Sequence, residues 1–209
     1  VIAHPYLLAW DYGLNHSEPA TLNLPSDNTG TADTCMTSEG GHWVKDGAGW
    51  WYACAGGKGY LAGGWFTING SEYLFGPSGY MATGFLKRAN GDWVYADQDG
   101  ALVGGWVRDS VYGGPYWYYL DPETKVMRTG WVADGGSWYY LTASGAMAVG
   151  WVNDGGSWYY LNASGAMVTG WLNLGGTWYY LSPSGVMLTG TQVINGRTYV
   201  FDESGVWQR

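Results

Sequence analysis

The chain has 209 residues and a formal net charge of −8, with 17 carboxylates against 9 Lys or Arg. An acidic chain lacks the basic stripe that displaces phosphate counterions, which excludes nucleic acid as a partner and disfavours an anionic membrane surface. Gly contributes 36 residues, and Gly or a polar residue interrupts every apolar run before it reaches the roughly 18 residues of a membrane helix, so membrane insertion is excluded as well.

The first residues do not repeat. The chain begins at Val1 without Met or a signal-peptide pattern, and is expected to be a mature or trimmed fragment. Residues 1–40 hold Trp10, three prolines and a polar run from Ser26 to Ser38, and read as a linker or the end of an upstream domain. His4, His16 and His42 read as surface residues rather than ligands. Cys35 and Cys54 stand 19 positions apart. A disulfide across that loop would stabilise the fold by about 3 kcal/mol, the alternative being two unrelated buried thiols. Without a nearby His pair they fall short of a zinc site, so no metal and no cofactor are expected.

From Trp43 onward the chain repeats. Units start at Trp43, Trp65, Phe85, Trp106 and Trp131, with spacings of 22, 20, 21 and 25. The longest spacing carries a Tyr112-Gly113-Gly114-Pro115 insertion. With Gly130 in front, residues 130–150 read GWVADGGSWYYLTASGAMAVG. Residues 151–170 read WVNDGGSWYYLNASGAMVTG, and residues 171–190 read WLNLGGTWYYLSPSGVMLTG. A last, looser copy starts at Thr191. In each unit Trp131-Val132 opens a strand, Asp134-Gly135-Gly136 turns tightly and Trp138-Tyr139-Tyr140-Leu141 returns; Ala143-Ser144-Gly145 then redirects the chain. Gly recurs too often for a stable helix. Because a lone hairpin is marginal in water, successive hairpins must stack. The expected fold is all-β, a solenoid of tandem 20-residue β-hairpin repeats behind an irregular N-terminal segment. Residues 41–105 form degenerate repeats, and residues 106–209 form better-kept ones with a terminal capping repeat.

Side chains alternate along a strand, so Trp138 and Tyr140 share one face while Tyr139 and Leu141 share the other. Trp131 lies on the face of Trp138, and the pair offers two indoles at right angles around a gap. Tyr159, from the opposite face of the next hairpin, is the candidate to close it. Three aromatic walls suit a soft, weakly hydrated cation, as in choline and methyl-lysine cages. The terminal unit fits this division. Thr191 and Thr198 replace both indoles, whereas Tyr199 keeps the third wall for the hairpin before it. Tyr140, Tyr160 and Tyr180 are expected in the core, and Val200 is expected to serve packing. Met147, Met167 and Met187 either line the cage floor or fill gaps between hairpins.

These units resemble the choline-binding (cell-wall-binding) repeats of bacterial cell-wall proteins. The resemblance is specific over residues 106–190 and loose over 41–105 and 191–209. It implies a secreted, non-catalytic module that anchors a protein to a bacterial cell surface through choline or phosphocholine on teichoic acids. Carried over residue by residue, the ligand-binding sets are Trp131, Trp138 and Tyr159; Trp151, Trp158 and Tyr179; and Trp171, Trp178 and Tyr199. Trp106, Trp117 and Tyr139 make a fourth. The upstream units depart from the pattern, since Glu72 stands where a second indole belongs. That form resembles the repeats of glucan-binding proteins and toxins, which implies a glycan ligand as the alternative. Trp43, Trp50 and Tyr73, and Phe85, Trp93 and Tyr118, are weaker candidate sets.

A catalytic reading finds little support. Residues 131–190 hold only Asp134 and Asp154 as charges, and no G-x-S-x-G elbow, HExxH or phosphate loop occurs. A third reading makes the array the C-terminal targeting module of a cell-wall hydrolase.

Overall fold

The computed structural model describes residues 35, 40–57, 59–110 and 115–208. Most of the non-repeating segment, including His4 and His16, and residues 111–114 of the insertion lie outside them. Two compact units are present. One comprises the chain up to Gly105 together with Leu120–Met127; the other comprises Trp106–Tyr119 and Arg128–Arg209.

The described residues form antiparallel hairpins. In the first part of the chain these are β1 (His42–Lys45) with β2 (Trp50–Ala53), β3 (Gly64–Ile68) with β4 (Ser71–Phe75), and β5 (Gly84–Lys87) with β6 (Trp93–Ala96). There follow β7 (Gly105–Asp109) with β8 (Tyr116–Leu120), β9 (Gly130–Asp134) with β10 (Ser137–Leu141), and β11 (Gly150–Asp154) with β12 (Ser157–Leu161). The series ends with β13 (Gly170–Leu174) and β14 (Thr177–Leu181), then β15 (Gly190–Ile194), β16 (Arg197–Phe201) and the short β17 (Trp207–Gln208). A single 3₁₀ turn, Ala55–Gly57, lies between strands among the described residues. The all-β hairpin array expected from the repeats is what the chain forms.

The turn chemistry explains the hairpins. Between β9 and β10, Gly135 and Gly136 take φ values of 54° and 80°, the doubly positive pair that a two-residue turn matching strand twist requires. Register then follows: Trp131 faces Tyr140, Val132 faces Tyr139, and Trp138 faces Ala133. The same register recurs in the β11–β12 and β13–β14 hairpins.

Three of the later hairpins each place one leucine wholly inside. Leu141, Leu161 and Leu181 have no exposed surface, and each such side chain contributes roughly 1.5–3 kcal/mol of burial. Phe201 holds the corresponding place in the last hairpin. The segment after each hairpin knits it to its neighbour. The Met167 N–H donates to the Trp138 carbonyl at 2.8 Å, while the Val168 N–H donates to the Tyr160 carbonyl of its own hairpin at 2.8 Å. In the first unit, Cys35 and Cys54 are joined by a disulfide and packed with Tyr52, Leu61, Ile68 and Phe75.

Candidate functional site

Because Trp131 and Trp138 occupy alternate positions on one face, the fold cannot bury them with Leu141. Trp138 is 48% exposed, Trp158 44% and Trp117 42%, against none for the leucines. A core aromatic would not stand in water to that extent. The indole pairs of the later hairpins are close to perpendicular. Trp151 and Trp158 lie 6.5 Å apart at 84°, and Trp171 and Trp178 lie 6.1 Å apart at 80°.

The tyrosine of the following hairpin completes each group with uniform geometry. Ring centroids are 4.8 Å apart for Trp106 and Tyr139, 4.7 Å for Trp131 and Tyr159, 5.0 Å for Trp151 and Tyr179, and 4.9 Å for Trp171 and Tyr199. All four pairs meet at 65–68°. Edge-to-face contact leaves the negative face of one ring open, which is what a cation needs.

The second tyrosines are not core residues. Tyr140, Tyr160 and Tyr180 are half-buried, with rings 5.1, 5.1 and 5.2 Å from Trp131, Trp151 and Trp171. They sit opposite the first indole in register, so they buttress it rather than filling the interior. Val200 departs from expectation in the same way, being 46% exposed. The methionines pack between hairpins: Met147 lies against Leu141, and its sulfur meets the turn at Gly165. Their backbones run beside the exposed indoles, since Met147 donates to the Trp117 carbonyl at 2.7 Å and Met187 to that of Trp158 at 2.8 Å.

Two features escaped the sequence reading. The first is Trp207, which stands twenty residues after Met187 and so takes the methionine's place in the last hairpin. Its ring lies 5.7 Å from Trp171 and 6.0 Å from Tyr199, adding a further aromatic ring to that group. The second is a set of side chains against the indoles. The Trp106 and Trp131 N–H groups donate to Asp134 and Asp154 at 3.1 and 3.0 Å.

Upstream, the chain's own cations stand over indoles. Lys45 lies 5.2 Å from the Trp50 ring and Lys87 5.4 Å from Trp93. Arg88 lies 5.4 Å from Trp65 and pairs with Glu72 at 2.6 Å. Trp43 meets Tyr73 at 4.9 Å but is also packed on the Phe75 ring at the buried cluster.

Comparison with known proteins bears on the family and the fold. The family model of the choline-binding repeat matches residues 62–103, 128–169 and 148–189. Among solved structures, CbpJ from Streptococcus pneumoniae TIGR4 is 38% identical with a TM-score of 0.66, over 79% of this chain and 57% of that one. Choline binding protein F from Streptococcus pneumoniae is 36% identical with a TM-score of 0.64, over 80% and 57%. The modular autolysin LytC from the same species is 26% identical with a TM-score of 0.56, over 80% and 39%. This chain therefore spans little more than half the length of the first two. Among curated proteins nothing matches the sequence.

Proposed function

Since the chain belongs to the choline-binding repeat family, we propose that it binds choline on cell-wall teichoic acids through aromatic cages shared by successive hairpins. It thereby anchors a protein to a bacterial surface and catalyses nothing itself. The observation that supports this most is the solvent exposure of Trp138 and Trp158 in hairpins whose first indoles, Trp131 and Trp151, each meet a tyrosine from the next hairpin. The cages are those of Trp106, Trp117 and Tyr139; Trp131, Trp138 and Tyr159; Trp151, Trp158 and Tyr179; and Trp171, Trp178 and Tyr199. Met147, Met167 and Met187 run along their edges. Residues 131–190 contain no Lys or Arg, so phosphocholine would be read at its ammonium end.

Two or three cation–π contacts of roughly 0.5–2 kcal/mol each add to only about 1–6 kcal/mol, so binding at each site should be weak, about millimolar, which corresponds to a net of about 4 kcal/mol. Linked sites raise avidity for a choline-bearing polymer by about a hundredfold or more where spacing permits. The likeness to a modular autolysin supports a targeting role beside a catalytic domain.

The test is retention on an immobilised quaternary amine. The chain should bind at moderate salt and elute with free choline. Passage through the column, or elution by sodium chloride at the same concentration, would contradict the cage reading.

A further inference from the structure

One position recurs in every following hairpin: the third residue after the one that opens it. It is Asp134 behind Trp106 and Asp154 behind Trp131, each accepting the indole N–H. In the β13–β14 and β15–β16 hairpins it is Leu174 and Ile194, at the same register as Asp154. In the β5–β6 hairpin it is Arg88, and there the cation over the Trp65 ring is the chain's own guanidinium. Its partner Glu72 occupies the place of the second indole. An acid at this position thus reaches the N–H edge of the preceding indole, and a base reaches its face.

Resting on the choline reading above, we propose that this position is the electrostatic selector of each cage. A carboxylate here acts on a quaternary ammonium in two ways. It draws on the indole N–H, which enriches the ring face in electron density, and it places a negative charge beside the cage. Both effects favour a cation over an uncharged molecule of equal shape. Two cages have this device, those of Trp106 and Trp131, and in the first of them Arg108 also stands 6.0 Å from the Trp117 ring. The cages of Trp151 and Trp171 rely on their rings alone.

Choline and its neutral isostere 3,3-dimethylbutan-1-ol, titrated calorimetrically into the whole chain, separate charge from shape. In Asp134→Asn with Asp154→Asn, the amide oxygen still accepts the indole N–H but the charge is gone. Two sites should weaken for choline by about fivefold, with the isostere unaffected and the number of sites unchanged. Leu174→Asp should tighten one site for choline by a similar factor. Unchanged choline affinity in both variants would overturn the selector while leaving the cages intact. Absence of choline binding by the unmodified chain would overturn the cage reading itself, and the selector with it.

Discussion

The Met167 N–H donates to the Trp138 carbonyl across 2.8 Å, so the strand that presents one hairpin's exposed indole is held by the linker of the next. Trp131 is likewise closed by Tyr159 from that next hairpin. A ligand in the cage therefore bridges two repeats and should tighten their stacking. Choline through the millimolar range should raise the unfolding temperature, because a site filled at a hundred times its Kd adds about 2.7 kcal/mol. Calorimetric melting with choline and with equimolar sodium chloride checks this. An equal rise in both would mean an ionic effect and no shared cage.

Tyr199 and Val200 are neighbours with opposite duties. Tyr199 meets Trp171 at 4.9 Å, whereas Val200 is 46% exposed. Replacing Tyr199 with Leu keeps apolar bulk and removes the ring's negative face, so one fewer choline should bind per chain at saturation. Val200→Ala should leave both stoichiometry and stability nearly unchanged, within about 0.5 kcal/mol as for other exposed positions. Equilibrium dialysis and melting of the two variants separate these effects; loss of binding in Val200→Ala would reverse the face assignment.

Much of this was legible before any coordinates. The Asp134-Gly135-Gly136 step specified the turn, and a period of two then placed Tyr159 opposite Val152, aimed at the preceding Trp131. The same period puts Tyr140 on the face of Trp131, and assigning it to the core neglected that register. Trp207 is legible only from its offset of twenty from Met187, because the last repeat lacks the indoles that mark the others. The pairing of Arg88 with Glu72 could not be read from spacing, since it joins side chains from two consecutive hairpins.

Gly165 is required twice over. Its φ is 81°, and a side chain there would collide with the sulfur of Met147. Gly185 meets Met167 in the same way. Gly155 also has a positive φ, 57°, but open space around its α-carbon. Gly155→Ala should therefore cost only backbone strain of about 1 kcal/mol, and Gly165→Ala a further 1–3 kcal/mol, roughly, for displaced packing. Urea unfolding of the two variants measures the difference. Equal losses would mean that Met147 moves aside freely.

Asp46 and Tyr80 make the first hairpin sensitive to pH at both extremes. The Tyr80 hydroxyl donates to Asp46 at 3.0 Å, and the amides of Ala48 and Gly49 donate at 2.8 and 3.2 Å. Burial pushes the Asp46 carboxyl up, but these donors together hold it below its ordinary value. Burial, then the bond and charge of Asp46, push Tyr80 up to about 12. Below its unfolded pKa of about 3.9, Asp46 takes up a proton more readily in the unfolded chain, so its contribution is lost as pH falls through the lower folded value. Tyr80 contributes fully below about pH 10, where the unfolded phenol begins to ionise, and its share is lost as pH rises towards 12. Asp46→Asn should flatten the acid limb of the melting profile, and Tyr80→Phe the alkaline limb. An acid limb unchanged in Asp46→Asn would assign it to other carboxylates.

The last cage should differ from the others because of Trp207. Met167 and Met187 edge the cages before it, whereas Trp207 presents an indole to Trp171 and Tyr199 at 5.7 and 6.0 Å. Trp171 remains 36% exposed, so the added ring does not seal the site. One more π face is worth roughly 0.5–2 kcal/mol to a bound cation, or about two- to thirtyfold in affinity. Trp207→Met restores the residue of the other repeats and keeps apolar contact with Phe201, its partner in the short terminal ladder. It should weaken one choline site within that range and leave the melting temperature nearly unchanged. Trp207→Ala should weaken the same site and also loosen the terminal hairpin, lowering the melting temperature. An isotherm for Trp207→Met that gains a bound choline would mean that the indole fills the cage instead of walling it.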